Sequence, residues 1–288
     1  MMTNRALPIL TVTVALLVIW YAAAVWLNAP QAADLLERAG QPHTGWALVD
    51  ASWNMQRPLL PGPHQIVIDL WQSITGNDIT SPRNILFHAG VTTESTLVGF
   101  VLGLLIGAGL AVGIVHVLAL DASLMPWVIA SQTIPILAIA PMVVVILGNA
   151  GFTGVFPKAV ISAYLCFFPI TIGLVKGLRS ADPLALDLMR TYSATQGQVF
   201  WWLRLPSALP FLFTSLKVGV AISLVGAIVA ELPTGGTAGI GARLLTGSYY
   251  GQMVQIWSAL VIAALLSLVL VWAVGLVERL VVVQGAPK

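Results

Sequence analysis

The chain has 288 residues, with 13 Lys and Arg, 11 Asp and Glu and a formal net charge of +2. Only 8% of the residues are charged and 58% are hydrophobic, whereas a soluble domain carries roughly 25% charge. So few charges cannot cover a soluble surface, so the composition points to an all-α, polytopic membrane protein. It excludes intrinsic disorder, a disulfide scaffold and a soluble nucleic-acid binder, and the single cysteine, Cys166, excludes an internal disulfide.

Six apolar runs are long enough to cross a hydrocarbon core about 30 Å thick, which takes roughly 20 helical residues. They are Ala6 to Leu27, Leu97 to Leu120, Leu124 to Leu147, Val160 to Leu178, about Ala208 to Ala230, and Ile256 to Val283. Thr92, Thr93, Glu94, Ser95 and Thr96 form a polar lead-in to the second. Pro126, Pro135 and Pro141 interrupt the third and Pro169 lies in the fourth. Each removes a backbone donor, which neighbouring helices can replace in a membrane. The first run exceeds the apolar core of a signal peptide, despite Arg5 ahead of it and Ala22-Ala23-Ala24 within it, and reads as an uncleaved span.

A polar stretch runs from Asn28 to about Gly90 and contains Pro58, Pro61 and Pro63. Within it, Ile66, Val67, Leu70 and Ile74 share one face of the segment His64–Ile74, with Trp71 beside them, the pattern of a helix lying at the membrane surface. Residues 1–58 are thus expected to form the first span plus an outer polar segment, and residues 59–288 a core of five spans with the interfacial helix. No internal repeat is evident, which argues against an inverted-repeat carrier.

Lys/Arg bias sets the orientation. With the N-terminus inside, Arg5, Lys176, Arg179, Arg190, Arg204, Arg279 and Lys288 are cytoplasmic, and Arg38, Arg57, Arg83, Lys158 and Arg243 lie outside. The short loop from Arg179 to Ser207 decides the matter through Arg179, Arg190 and Arg204.

Several chemistries lack their residues. None of Lys158, Lys176, Lys217 and Lys288 follows a glycine, so there is no phosphate-cradling Gly-Lys-Ser/Thr and no nucleotide site of that kind. His43, His64, His88 and His116 lack metal-ligand spacing. Gly247-Ser248 has no intramembrane histidine to activate the serine, so an intramembrane hydrolase is disfavoured and no catalytic residue is assigned. Ionisable groups within the spans are few, which disfavours an ion-coupled secondary carrier, the alternative transport reading.

Other patterns are informative. Gly99, Gly103 and Gly107 repeat every fourth residue in the second span, and Gly219, Ser223 and Ala227 do so in the fifth. Such flat faces allow close helix packing, so these two spans are expected to pack closely; a subunit interface is the alternative. Lys217 is the cation set inside an apolar run: it either snorkels or pairs near the cytoplasmic end, or contacts a solute. Glu231 reads either as a solvated helix end or as a rim residue of a pathway. On the cytoplasmic side Asp182 can cap a helix with Pro183 at its first position. A second short helix is expected to stop at Pro206. Phe200, Trp201 and Trp202 read equally as interfacial anchors or as a docking ridge.

This segment resembles the EAA loop of ABC importer permeases, Glu-Ala-Ala-x3-Gly-x9-Ile-x-Leu-Pro. Leu205-Pro206 match its end, Leu203 takes the isoleucine position, Ser193 the glycine position and Asp187 the glutamate position, with Leu188 and Met189 for the alanines. Leu60-Pro61-Gly62-Pro63, Gly99-Phe100-x2-Gly103, Ile134-Pro135-x5-Pro141, Gly148, Lys158, and Glu231 with Gly239-Ile240-Gly241 follow in the order found in the nitrate/sulfonate/taurine-type branch. Ser95 stands where that branch often has arginine, and residues 28–57 look like an insertion. The resemblance covers about residues 59–283. It implies the type I importer fold, and a permease subunit of a bacterial inner membrane that moves a small solute. Two copies would form the pathway. Separate ATPase subunits would bind the ATP, and a periplasmic solute-binding protein would deliver the solute. Asp187, Arg190, Tyr192, Ser193, Gly197, Phe200, Trp201, Trp202, Leu205 and Pro206 would form the ATPase-docking loop. Gly99, Gly103, Gly107, Pro135, Pro141, Lys217 and Glu231 would serve the pathway or helix packing. No cofactor, metal or nucleic acid is expected to bind this chain itself; membrane lipid surrounds it.

The orientation is testable by cysteine accessibility. Asp50→Cys is expected to label from outside and Gln196→Cys only from inside; outside labelling of the latter would reverse the topology.

Overall fold

The structure is a computed structural model, described over residues 6–42, 44–233 and 238–283. Arg5, His43 and Lys288, used in the sequence reading, lie outside the described residues. Among the described residues the regular structure is entirely helical. Helices α1 (Ala6–Arg38), α2 (Trp46–Trp53), α3 (Pro63–Thr75), α4 (Ile85–His116), α5 (Leu118–Ala130) and α6 (Ile136–Asn149) come first. Then follow α7 (Val155–Leu178), α8 (Pro183–Thr191), α9 (Gln196–Val199), α10 (Leu205–Glu231), α11 (Ile240–Tyr249) and α12 (Met253–Val283). Helices α1, α4, α7, α10 and α12 are long and apolar enough to span a membrane, and α5 and α6, bent by 99° at the break between them, pass the same test only as a pair, which adds a sixth span if the pair crosses as one.

That bend falls in the third apolar run, which the sequence already shows interrupted by prolines. Pro126 and Pro141 are accommodated inside α5 and α6, whereas the chain breaks at Pro135, after a 3-10 turn at Ser131–Thr133. Proline pushes the preceding residue out of the helical region, and Ile134 is extended at φ −82°, ψ 123°. Pro135 also has no N–H to give the carbonyl of Ser131, four residues back. The hydroxyl of Tyr164, on α7, donates to that carbonyl instead.

The second span is corrected. Its helix ends at His116, not Leu120, because Val117 is extended at φ −123°, ψ 108°. The polar lead-in lies within α4 rather than ahead of it. Thr93 donates to the carbonyl of Ala89 at 2.6 Å, Ser95 to Val91 at 3.2 Å and Thr96 to Thr92 at 2.7 Å, so these hydroxyls need no water.

The chain divides into two units. One comprises the described residues up to His88 with Arg243–Ile262; the other comprises Ala89–Ala242 and the chain from Ala263. The second unit is organised around α7. A Cβ on Gly99 would lie 2.7 Å from the Ala159 carbonyl oxygen, one on Gly103 3.1 Å from that of Ala163, and one on Gly107 2.9 Å from that of Phe167. The glycine face of α4 therefore packs within the subunit, against α7. Helix α10 packs on α7 as closely: a Cβ on Gly226 would lie 2.7 Å from the Ser162 Cα, and one on Gly177 3.0 Å from the Ala208 Cα. Helix α10 touches α4 through the Ser223 hydroxyl, which donates to the Thr96 carbonyl at 2.9 Å. Cys166, Ile170, Phe213 and Leu216 fill the adjoining core.

The first unit is joined by buried polar groups. The Asn28 amide nitrogen donates to the carbonyls of Ser52 (3.1 Å) and Leu60 (2.8 Å), while its oxygen accepts from the N–H groups of Leu59 (2.8 Å) and Leu60 (3.2 Å). One side chain thus fixes α1 to the segment before α3. The indole of Trp20 donates to the Pro61 carbonyl at 3.0 Å and stacks obliquely on Trp257. In α3 Ile66 is buried and Leu70 and Ile74 are half-buried, but Val67, Ile68 and Trp71 point outward. The apolar surface is thus shared between a protein-facing and an outward-facing side, which suits an interfacial helix.

Candidate functional site

Two clusters of predicted site residues are resolved, at opposite ends of α10. The first follows α7. Asp182 caps α8, its carboxylate accepting from the Leu184 N–H at 3.0 Å, with Pro183 at the first helical position. Helix α8 ends in a Schellman turn: the Ala194 N–H bonds the Met189 carbonyl at 3.0 Å and the Ser193 N–H that of Arg190 at 2.9 Å. Ser193 has φ +52°, and among the described residues it is the one non-glycine residue with positive φ. Glycine adopts that conformation without the clash of a Cβ, so the serine departs from the resembled pattern at the position where the backbone favours glycine.

Thr195 then caps α9, and its N–H bonds the Gln198 side chain at 2.7 Å. The chain does not stop at Pro206, contrary to expectation. A π turn over Phe200–Arg204, in which the Leu205 N–H bonds the Phe200 carbonyl, leads directly into α10. The π turn is followed directly by Pro206, at the second position of α10, which has no N–H to give back to the preceding turn. It also separates the three aromatics. Phe200 is half-buried on the core cluster of Ala111, Ile114, Leu174 and Ala208, edge-on to His116 at 5.2 Å, while Trp201 and Trp202 are exposed. Leu184, Leu188 and Tyr192, at i, i+4 and i+8, form an exposed row along α8 and past its end. Asp187 and Arg190 pair with each other at 2.8 Å beside that row, and Gly197 is exposed.

The second cluster surrounds Glu231, which is neither a solvated helix end nor a rim residue: its relative exposure is 0%. The Thr92 hydroxyl lies 2.9 and 3.0 Å from the two carboxylate oxygens, and the Gly241 N–H donates to one of them at 2.9 Å. The Lys158 ammonium stands 3.5 Å from the carboxylate and 3.5 Å from the Ala238 carbonyl. Thr92 also accepts from the Ile240 N–H at 2.9 Å. Four chain segments thus meet at one carboxylate. Gly239 has φ +119°, and a Cβ there would lie 2.5 Å from a Glu231 oxygen. The Glu231/Gly239-Ile240-Gly241 pattern is therefore a clasp in which the glycine makes room for the acid. Thr92 was missed by sequence reasoning; its only signal was a polar residue at the edge of an apolar run.

Lys217 pairs with Glu278 of α12, so the pairing alternative for it holds. Pro135 and Pro141 shape the bent third passage, and Gly99, Gly103 and Gly107 pack on α7, as described above.

The chain matches the family of binding-protein-dependent transport system inner membrane components over residues 99–283. It is 31% identical over 224 residues to the riboflavin transport system permease protein of Chloroflexus aurantiacus, covering 78% of this chain and 80% of that protein. It is 25% identical over 277 residues to the putative aliphatic sulfonates transport permease protein of Bacillus subtilis, covering 89% and 94%. A solved amino acid ABC transporter superposes with a TM-score of 0.54 at 16% identity, over 65% of this chain and 89% of that one, a likeness of fold. The chain belongs to the binding-protein-dependent transport system inner membrane component family. It is a multi-pass inner-membrane permease subunit of an ABC importer, and its relatives are transport permeases rather than enzymes. The ion-coupled carrier reading falls away.

Breaking one member of a buried ion pair leaves the other charge stranded and costs about 3–5 kcal/mol. Glu231→Ala is therefore expected to lower the unfolding temperature of the detergent-purified chain markedly. The pair Lys158→Met with Glu231→Leu, which removes both charges, is expected to recover most of that loss.

Proposed function

We propose that this permease acts as a homodimer, with the segment Asp187–Pro206 docking on separate ATPase subunits that bind the ATP. A solute-binding protein delivers the solute on the opposite face. The proposed orientation places this segment in the cytoplasm, as the loop arginines Arg179, Arg190 and Arg204 require. Residues 1–58 are read as an addition to the permease core at residues 59–288.

One observation carries the docking reading. Leu184 and Tyr192 are 78% and 77% exposed on a segment outside the apolar spans, and Trp202, at the start of the apolar helix that continues into α10, is 81% exposed. Large exposed apolar side chains on a polar loop mark an interaction surface, and aromatic anchors dominate such interfaces. The capped α8 and the Schellman turn hold the row in a fixed conformation, which lowers the cost of ordering it on binding. The Phe200 ring, turned onto the core, supports the base of the same segment.

Two helices that pack at backbone distance bracket the segment: α7 ends at Leu178 and α10 begins at Leu205. A movement imposed on the loop by closing ATPases would thus pass into α7 and α10 together, a two-state element biased by a partner.

Leu188→Asp places a charge in the middle of the exposed row without touching the core. The variant is expected to insert and fold normally and to lose roughly 30-fold in affinity for the ATPase, the loss of one anchor worth about 2 kcal/mol. Wild-type co-purification with the ATPase would put the docking site elsewhere on the chain.

A further inference from the structure

A groove of about 370 Å³ lies beside the Lys217–Glu278 pair, between α10 and α12. Gly275 forms its floor: a Cβ at that position would meet only the Lys217 Cε, at 3.7 Å. Trp272, 64% exposed, and Arg279 stand one turn to either side of the glycine, so Trp272, Gly275, Leu276 and Arg279 share one face of α12. Lys217 and Glu278 neutralise each other. Arg279 is exposed and has no ion-pair partner among the described residues, so the groove carries one uncompensated positive charge.

Beyond the groove the surface of α12 is apolar and open, through Val269, Leu268 and Leu265. A cation with a tryptophan at one end of an apolar track matches the two halves of a lipid: a charged headgroup and an acyl chain. Basic pockets between membrane helices on the cytoplasmic side attract anionic headgroups. A neutral headgroup would gain nothing from Arg279, and a small soluble anion would leave the apolar track uncovered.

We propose that this groove is a binding site for one anionic phospholipid, its phosphate on Arg279 beside Lys217 and its acyl chain along the open face of α12. The leaflet, but not the headgroup preference, rests on the orientation given under Proposed function. A reversed topology would move the site to the other leaflet and leave the binding result unchanged.

Native mass spectrometry of the full chain, purified in detergent with added phosphatidylglycerol or phosphatidylcholine of identical acyl chains, tests this. Phosphatidylglycerol is expected to be retained more tightly. Arg279→Gln is expected to reduce that retention about fivefold, the effect of one basic residue near an anionic lipid, without changing phosphatidylcholine retention. Gly275→Leu, which fills the groove and keeps every charge, is expected to reduce phosphatidylglycerol retention as well; if it fails to fold, Arg279→Gln decides. Equal retention of the two lipids, or wild-type retention by Arg279→Gln, would overturn the proposal. So would complete displacement by inorganic phosphate, which would mark a phosphate site without a lipid, or loss of lipid whenever two copies of the chain associate, which would mark the groove as a protein contact.

Discussion

Helix α7 is held at backbone distance on two sides, by the glycines of α4 and by the small residues of α10. Within a bilayer, lipid tails are as apolar as leucine, so helices gain little from hiding apolar surface and much from close van der Waals contact. Gly99, Gly103 and Gly107 on one flank, and Gly226 on the other, therefore decide where the helices lie; Gly173 and Gly177 of α7 itself serve the second contact. A leucine at any of these positions would force the helices apart. The same medium offers no water to a freed carbonyl. That is why the Tyr164 hydroxyl on the central helix covers the carbonyl that Pro135 leaves open, and why the bent passage stays tied to α7.

The two ends of α10 serve different needs. At Glu231 of α10 a buried carboxylate gathers a hydroxyl, a backbone N–H and an ammonium from three other segments, so residues 238–241 are held beside α4 and α7. At the other end the polypeptide turns outward, displays apolar side chains and satisfies its own polar groups through caps. One end is specified by internal polar contacts, and the other leaves Leu184, Leu188 and Tyr192 exposed. That asymmetry fits a subunit driven from one face by another protein.

Much of this was legible in the sequence, because the signals were periodic or chemically singular. Long apolar runs located α1, α4, α7, α10 and α12, and the Asp182-Pro183 pair marked the start of α8. What was not legible depended on contacts between distant segments. The glycine stripe announced close packing, but not its partner: the matching small residues of α7, Ala159 and Ala163, lie in a run that also carries Pro157, Lys158 and Tyr164, and they were not singled out. Glu231 looked like a helix end because its partners Thr92 and Lys158 lie far away in sequence. Glu278 was not paired with Lys217 for the same reason. The run through Pro206 was hidden because a π turn has no compositional mark.

The central claim is that solute movement through this chain is driven by separate ATPases and not by an ion gradient. Proteoliposomes holding the permease, with or without the ATPase subunits, binding protein and ATP, test it most directly. Solute uptake is expected only when ATPase and ATP are both present, and imposed proton or sodium gradients should have no effect. Gradient-driven uptake by the permease alone would contradict it.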